Sequence, residues 1–156
     1  RLEGDNNSGV QYRSKRNPEQ GKYSIVGYQA DIHPAANYVG MLYDEGGRGI
    51  AAENGQHVTF GPDGAKEVAQ VNAKPEATDL AKWNKLEVIA QGNRLIHKLN
   101  GKETIELIDN DPKNAEAKGL LALQVHAGPP MKVQYKSVRL KPLKPEKDQA
   151  TKQPAK

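Results

Sequence analysis

The stretch K-L-E-V-I-A-Q-G-N-R-L-I-H-K-L-N-G-K-E-T-I-E-L-I, Lys85 to Ile108, decides the fold. Its two breaks, Gln91-Gly92-Asn93 and Asn100-Gly101, both offer residues that accept positive φ in a tight turn. Around them lie three runs rich in Val, Ile and Leu: Lys85 to Gln91, Arg94 to Leu99 and Glu103 to Ile108. The spacing predicts a three-stranded antiparallel meander, with Asn100-Gly101 as its strongest hairpin signal.

The same pattern extends outward in both directions. Val10 to Arg13 and Tyr28 to Ile32 alternate at period two, apolar members on one face and polar members on the other, so each is expected to have one wet face. Tyr38 to Tyr43, Gly49 to Ala52, Gly119 to His126 and Lys132 to Leu140 complete nine candidate strands, enough for an all-β, two-sheet antiparallel sandwich. In the last run Val133 and Tyr135 share one parity and Val138 and Leu140 the other, so a bulge near Lys136-Ser137 would turn all four inward. Residues 53–82 read as a long insertion holding one short helix, around 62–72 or 75–82. One domain is expected over residues 1–143. The Lys- and Pro-rich residues 144–156 lack any apolar period and read as a disordered tail.

Composition narrows the function. The net charge of +4 resides in residues 136–156, which carry seven Lys/Arg against two Asp/Glu, so the body of the chain is nearly neutral. With few aromatics on that body, nucleic-acid binding is set aside. The chain has no Cys, which excludes disulfides and thiolate metal ligation. No run approaches the roughly 18 apolar residues of a membrane-spanning helix. The opening Arg1-Leu2-Glu3 runs directly into strand-like sequence without an initiator Met, as expected of a mature or truncated chain.

Six motifs then occur in order: N-S-G-V-Q-Y-R (Asn7 to Arg13), G-Y-Q-A-D-I (Gly27 to Ile32), G-M-L-Y-D-E with R-G (Gly40 to Glu45, Arg48-Gly49), W-N (Trp83-Asn84), H-K-L-N-G (His97 to Gly101) and G-L-L-A-L-Q-V-H (Gly119 to His126). Together they resemble the 3-keto-disaccharide hydrolase domain family, over roughly residues 5–143. That resemblance implies a concanavalin A-like jelly roll, from which this chain would lack N-terminal strands. It also implies a periplasmic or secreted location, and a substrate sugar oxidised at carbon 3 whose glycosidic bond breaks by elimination followed by hydration. Such chemistry needs a base for the proton on carbon 2, donors for the enolate oxygen and an acid for the leaving oxygen.

The residues nominated for these tasks are His126, Asp31 and His97 as catalytic groups, with Arg13, Gln29, Tyr43, Glu45, Arg48, Asn100 and Gln124 as substrate contacts. Gln29 and Asp31 lie two apart on one strand, about 7 Å apart on the same face. On the resemblance, Gln29 stands where many relatives carry Glu, and an amide can bind but not act as a base. Arg13 is placed on the Asp31 face by the resemblance, where it could hold an enolate or simply pair with Asp31. Tyr43, Glu45 and Arg48 surround the Gly46-Gly47 turn, and the alternative to a binding loop is an ordinary turn with a Glu45–Arg48 pair. His97 sits between Leu95 and Leu99 at period two, which fits a core histidine as well as a site. His126 shares its side with Gln124 and Ala122, away from Leu121, Leu123 and Val125, and is the better candidate for proton transfer near neutral pH. Asp31 could orient it or be the base itself. His33 and His57 match no motif and read as surface loop residues, and Trp83 as a core anchor. No metal site and no cofactor is assigned. The rival to an enzyme is a non-catalytic carbohydrate-binding module on the same sandwich.

Overall fold

Asn100 and Gly101 adopt φ of 53° and 84°, the two left-handed residues a type I′ turn requires, and they join Leu99 to Lys102 in a tight antiparallel pair. In the computed structural model, which describes residues 1–70 and 77–143, this hairpin is the centre of one of two five-stranded sheets. In chain order the strands are β1 Leu2–Glu3, β2 Ser8–Arg16, β3 Ile25–Ile32, β4 Leu42–Glu45, β5 Gly49–Ala52, β6 Gln56–Phe60, β7 Lys66–Gln70, β8 Leu86–Gln91, β9 Arg94–Leu99, β10 Lys102–Asp109, β11 Leu120–Val125 and β12 Lys132–Val133. One sheet has the order β11-β2-β3-β4-β5, the other β7-β6-β10-β9-β8, and β1 pairs with β12 as a short ribbon. Pairing is antiparallel except between β10 and β6, which run parallel.

Period-two alternation gives each sheet an apolar inner face, and the two inner faces close on one another. Tyr12, Tyr28, Ala30 and Leu42 from the first sheet pack with Val58, Phe60, Leu95, Ile105 and Leu107 from the second. A smaller cluster of Leu2, Val39, Leu80 and Leu99 closes one end beneath the β1–β12 ribbon.

Two polar groups are set into this interlayer space. His97 is fully buried; its Nδ1 lies 3.2 Å from the Gly40 and Met41 carbonyls and its Nε2 2.8 Å from the Tyr12 hydroxyl. Because carbonyls only accept, Nδ1 carries the proton and Nε2 accepts from Tyr12. Burial pushes this imidazole down to about 4. Arg48 reaches from the β4–β5 turn to Asp44 (Nε to Oδ2, 2.9 Å) and to both oxygens of Asp109 at the end of β10, with its cation 4.1 Å from the centre of the Phe60 ring. Tyr28 donates its hydroxyl hydrogen to the same Asp109, 2.5 Å away. The cluster ties β3, β4 and β10 together across the layers.

Several sequence expectations are corrected. Residues 56–60 and 66–70 form β6 and β7, so the described parts of the 53–82 insertion are strand and turn, without the expected helix; residues 71–76 lie outside the described residues, as do residues 144–156. The local signal was present in His57-Val58-Thr59-Phe60, whose Val58 and Phe60 enter the core, but the glycines around it resemble loop sequence. Tyr38 to Met41 form a turn, with Gly40 at φ 76°, and the strand begins only at Leu42. The last run pairs only through Lys132–Val133 and the backbone of Gln134 with Arg1, and Ser137 takes φ 54°. Val138 and Leu140 therefore face solvent, 73% and 77% exposed. Trp83 is exposed too, beneath the cations of Arg1 and Lys136.

Removing one member of a buried ion pair leaves the other charge uncompensated. Arg48→Ala is expected to cost about 3–5 kcal/mol in urea unfolding, whereas Arg94→Ala, which breaks the solvated pair with Glu106, is expected to cost less than about 1 kcal/mol. Equal losses would contradict the bridging role of Arg48.

Candidate functional site

The middle of the first sheet carries polar side chains on its outer face. Register places Gln11 opposite Gln29, Gly9 opposite Asp31, and Gln124 opposite Gly9, and Tyr43 follows beside Gln29 on β4. The sequence leads one to expect a wet face; the structure corrects this. Gln11, Gln29 and Asp31 are 5%, 2% and 1% exposed.

Glycine is the reason they can lie so close. A Cβ at Gly9 would stand 2.5 Å from Cδ of Gln29, so only a residue without a side chain lets the Gln29 amide fold across β2. From there Gln29 donates through Nε2 to Asp31 Oδ1 at 2.9 Å and to Gln124 Oε1 at 3.3 Å, and accepts from Gln11 Nε2 at 3.2 Å. The Gln11 Oε1 is buried without a hydrogen-bond partner.

Asp31 is thus a carboxyl in a confined setting whose bonded donors are the neutral Gln29 amide and the Ile32 backbone N–H. Burial disfavours its charge and pushes it up to about 6, against the pull of those hydrogen bonds and of the nearby His126; the charge of Glu45 adds to the rise. Without a cation in hydrogen-bond contact, this carboxyl differs from the ion-paired carboxylates of Asp44 and Asp109.

His126 lies just past the end of β11, exposed, with Nδ1 2.5 Å from the Ala127 carbonyl. The carbonyl accepts, so Nδ1 holds the proton and Nε2 is left with a free lone pair. The turn that carries His126 is fixed by Asn6, whose Nδ2 donates to the carbonyls of His126, Ala127 and Pro129 at 3.2–3.4 Å.

The sequence-nominated residues divide into two groups. Asp31, Gln29, Gln124, Tyr43 and Glu45 belong to β3, β4 and β11 positions of the polar face, with His126 at its edge. The others are placed elsewhere. His97 is enclosed between the layers. Arg48 is taken up by Asp44 and Asp109, not by Glu45. Asn100 is occupied at the β9–β10 turn, accepting from Lys85 N–H and donating to Asn84. Arg13 sits at a bulge with φ 49°, which breaks the parity and sends its guanidinium to the carbonyls of Gly92 and Glu116 instead of to Asp31. Sequence reading missed Gln11, Asn6 and His33. Gln11 had the right parity; His33 is half-buried, with the His126 charge acting on it.

Among the described residues one group could hold a metal ion: His57, Glu103 and Glu106 on the outer face of the second sheet, with ligand atoms within 4.8 Å of one another. It is on the opposite layer from Asp31, and Arg94 already engages Glu106.

A family model described as the 3-keto-alpha-glucoside-1,2-lyase-like domain matches residues 1–141, and the chain belongs to that carbohydrate-acting family. No curated protein matches the chain significantly.

The raised Asp31 carboxyl has a thermodynamic consequence. Its folded value of about 6 against an ordinary 3.8 means the unfolded chain ionises first as pH rises, so Asp31 lowers stability progressively above pH 3.8 and fully above 6. Asp31→Asn is expected to be about 3 kcal/mol more stable than wild type at pH 8, a gain that falls below about 1 kcal/mol by pH 4. His97 acts in the opposite sense: with about 4 folded against 6.5 unfolded, its contribution is complete above 6.5 and lost as pH falls to 4. Urea titrations at pH 8 and pH 4 measure the difference; no gain from Asp31→Asn at pH 8 would contradict the confined carboxyl.

Proposed function

We propose that the chain cleaves glycosides whose sugar ring carries a ketone at carbon 3, with His126 as the proton acceptor and Asp31 as the buried charge that stabilises the resulting imidazolium. The ketone acidifies the hydrogen on carbon 2. His126 Nε2 takes that proton, the C2–H electron pair moves into the C2–C3 bond, and the ketone becomes an enolate. The enolate collapses, re-forming the ketone and a C1–C2 double bond while the C1–O bond breaks and the leaving oxygen takes a proton. Water then adds across the double bond to give the free keto sugar.

The observation that carries this assignment is the contrast in exposure. Asp31 is 1% exposed, too enclosed to meet a substrate carbon, whereas His126 is exposed and presents an unshared Nε2. Asp31 therefore acts through its field, and its charge appears as pH rises through about 6. Gln29 and Gln124 fix the Asp31 side of the floor, and Tyr43 offers an aromatic surface for a sugar ring beside Gln29.

Incubation with an aryl 3-keto-glucoside is expected to release the phenol, while the unoxidised glucoside survives. His126→Ala is expected to lower kcat about 10²–10⁴-fold. Wild-type kcat/KM is expected to rise between pH 5 and pH 7, and Asp31→Asn to lower kcat/KM most at the alkaline end of that rise, where the wild-type carboxyl is charged. Sugar binding without turnover, unchanged in His126→Ala, would instead establish a carbohydrate-binding module.

A further inference from the structure

The ladders of the first sheet end together at one edge of the polar face. Val125 lies opposite Ser8, and Ser8 opposite Ile32. The next residue on each strand gives His126, Asn7 and His33, of the same parity as the Gln124, Gly9 and Asp31 row. These positions follow the ends of adjacent strands, and the two histidines are near enough for the charge of one to act on the other.

Their tautomers are opposite, and each is fixed by a backbone group whose role is unambiguous. His126 Nδ1 faces the Ala127 carbonyl and holds a proton, leaving Nε2 as an acceptor. His33 Nδ1 accepts the Ala35 backbone N–H at 2.9 Å, so in the neutral ring Nε2 carries the hydrogen and donates. Protonating His33 would break that bond. The Tyr38 ring meets the His33 imidazole edge-on at 5.2 Å and 83°, which holds its orientation. Burial, and next the charge His126 carries once protonated, hold His33 below its ordinary value, which favours its neutral ring. On the same stretch the Asn7 Oδ1 is buried without a hydrogen-bond partner.

We propose that His33 is a second catalytic histidine of this site, a neutral Nε2–H donor to the carbon 3 ketone oxygen while His126 Nε2 removes the carbon 2 proton. This role rests on the keto-glycoside reading of the site. A neutral donor aimed at a developing enolate gains strength as negative charge accumulates on the oxygen, and it does not compete as an acid for the proton His126 must take. No bond to His33 forms or breaks; it strengthens a hydrogen bond during the step.

Gln and Asn substitutions separate the two ring nitrogens, because Gln Nε2 overlies the donor position and Asn Nδ2 the Nδ1 position. His33→Asn is expected to lower kcat on an aryl 3-keto-glucoside about 10²–10³-fold with KM little changed, whereas His33→Gln stays within about tenfold of wild type. Independently of any substrate, side-chain 15N spectra of the wild-type protein at pH 7.5 are expected to show His33 as the Nε2–H tautomer. His33→Asn as active as wild type, His33→Gln as impaired as His33→Asn, or an Nδ1–H tautomer would each overturn the assignment. If wild type releases no phenol from the keto-glucoside, the reading of the site falls and this role falls with it; if wild type turns over and only the His33 arms fail, this role alone is wrong.

Discussion

A carboxyl at 1% exposure, hydrogen-bonded by an amide and a backbone N–H, is costly to ionise, and the polar half of this sandwich is arranged around that cost. Gly9 stands in β2 without a side chain, so Gln29 can lie over it and reach Asp31. Gln124 and Gln11 then take the remaining hydrogen bonds of Gln29. A cation in contact would have relieved the desolvation and drawn Asp31 back toward its ordinary value; the Arg13 that the resemblance offers for this is turned away by the bulge after Tyr12. The result is a proton site near neutrality on a rigid sheet floor, next to an exposed imidazole.

The second polar cluster shows what the same residue types do when they serve structure. Asp44, Asp109 and Arg48 are also buried or nearly so, but each carboxylate meets the guanidinium directly. Burial alone would depress Arg48; its hydrogen bonds to Asp109 and Asp44 outweigh that and raise it. The carboxylates of both clusters are almost wholly enclosed, so burial does not distinguish them. Charge compensation does: Arg48 fastens the two layers, while Asp31 is left responsive to pH and to its neighbours.

Much of the fold was legible from residues 85–108, because Gly92 and Asn100-Gly101 mark turns that period-two runs on either side can only answer as hairpins. Legibility failed where one residue broke the period. Positive φ at Arg13 and Ser137 interrupts the alternation, so Arg13 leaves the Asp31 face on which the resemblance placed it, and Val138 and Leu140, which an expected bulge would have turned inward, face solvent. At the site, alternation correctly put Gln29, Asp31, Gln124 and His126 on one face, and it could not choose between core and site for His97, whose enclosure depends on Gly40, Met41 and Tyr12 from the other layer. His33 was passed over because it lies beyond the strand end. Its signal was the parity it shares with Asp31, and its tautomer depends on a turn two residues further on.

The central claim is that a proton leaves carbon 2 before the glycosidic bond breaks, and the direct measurement is the fate of deuterium at that carbon. An aryl 3-keto-glucoside labelled with deuterium at carbon 2 is predicted to react more slowly than the unlabelled compound and to yield a keto sugar whose carbon 2 carries hydrogen from solvent. Product that keeps its deuterium, released at the unlabelled rate, would contradict elimination and the roles assigned to His126 and Asp31.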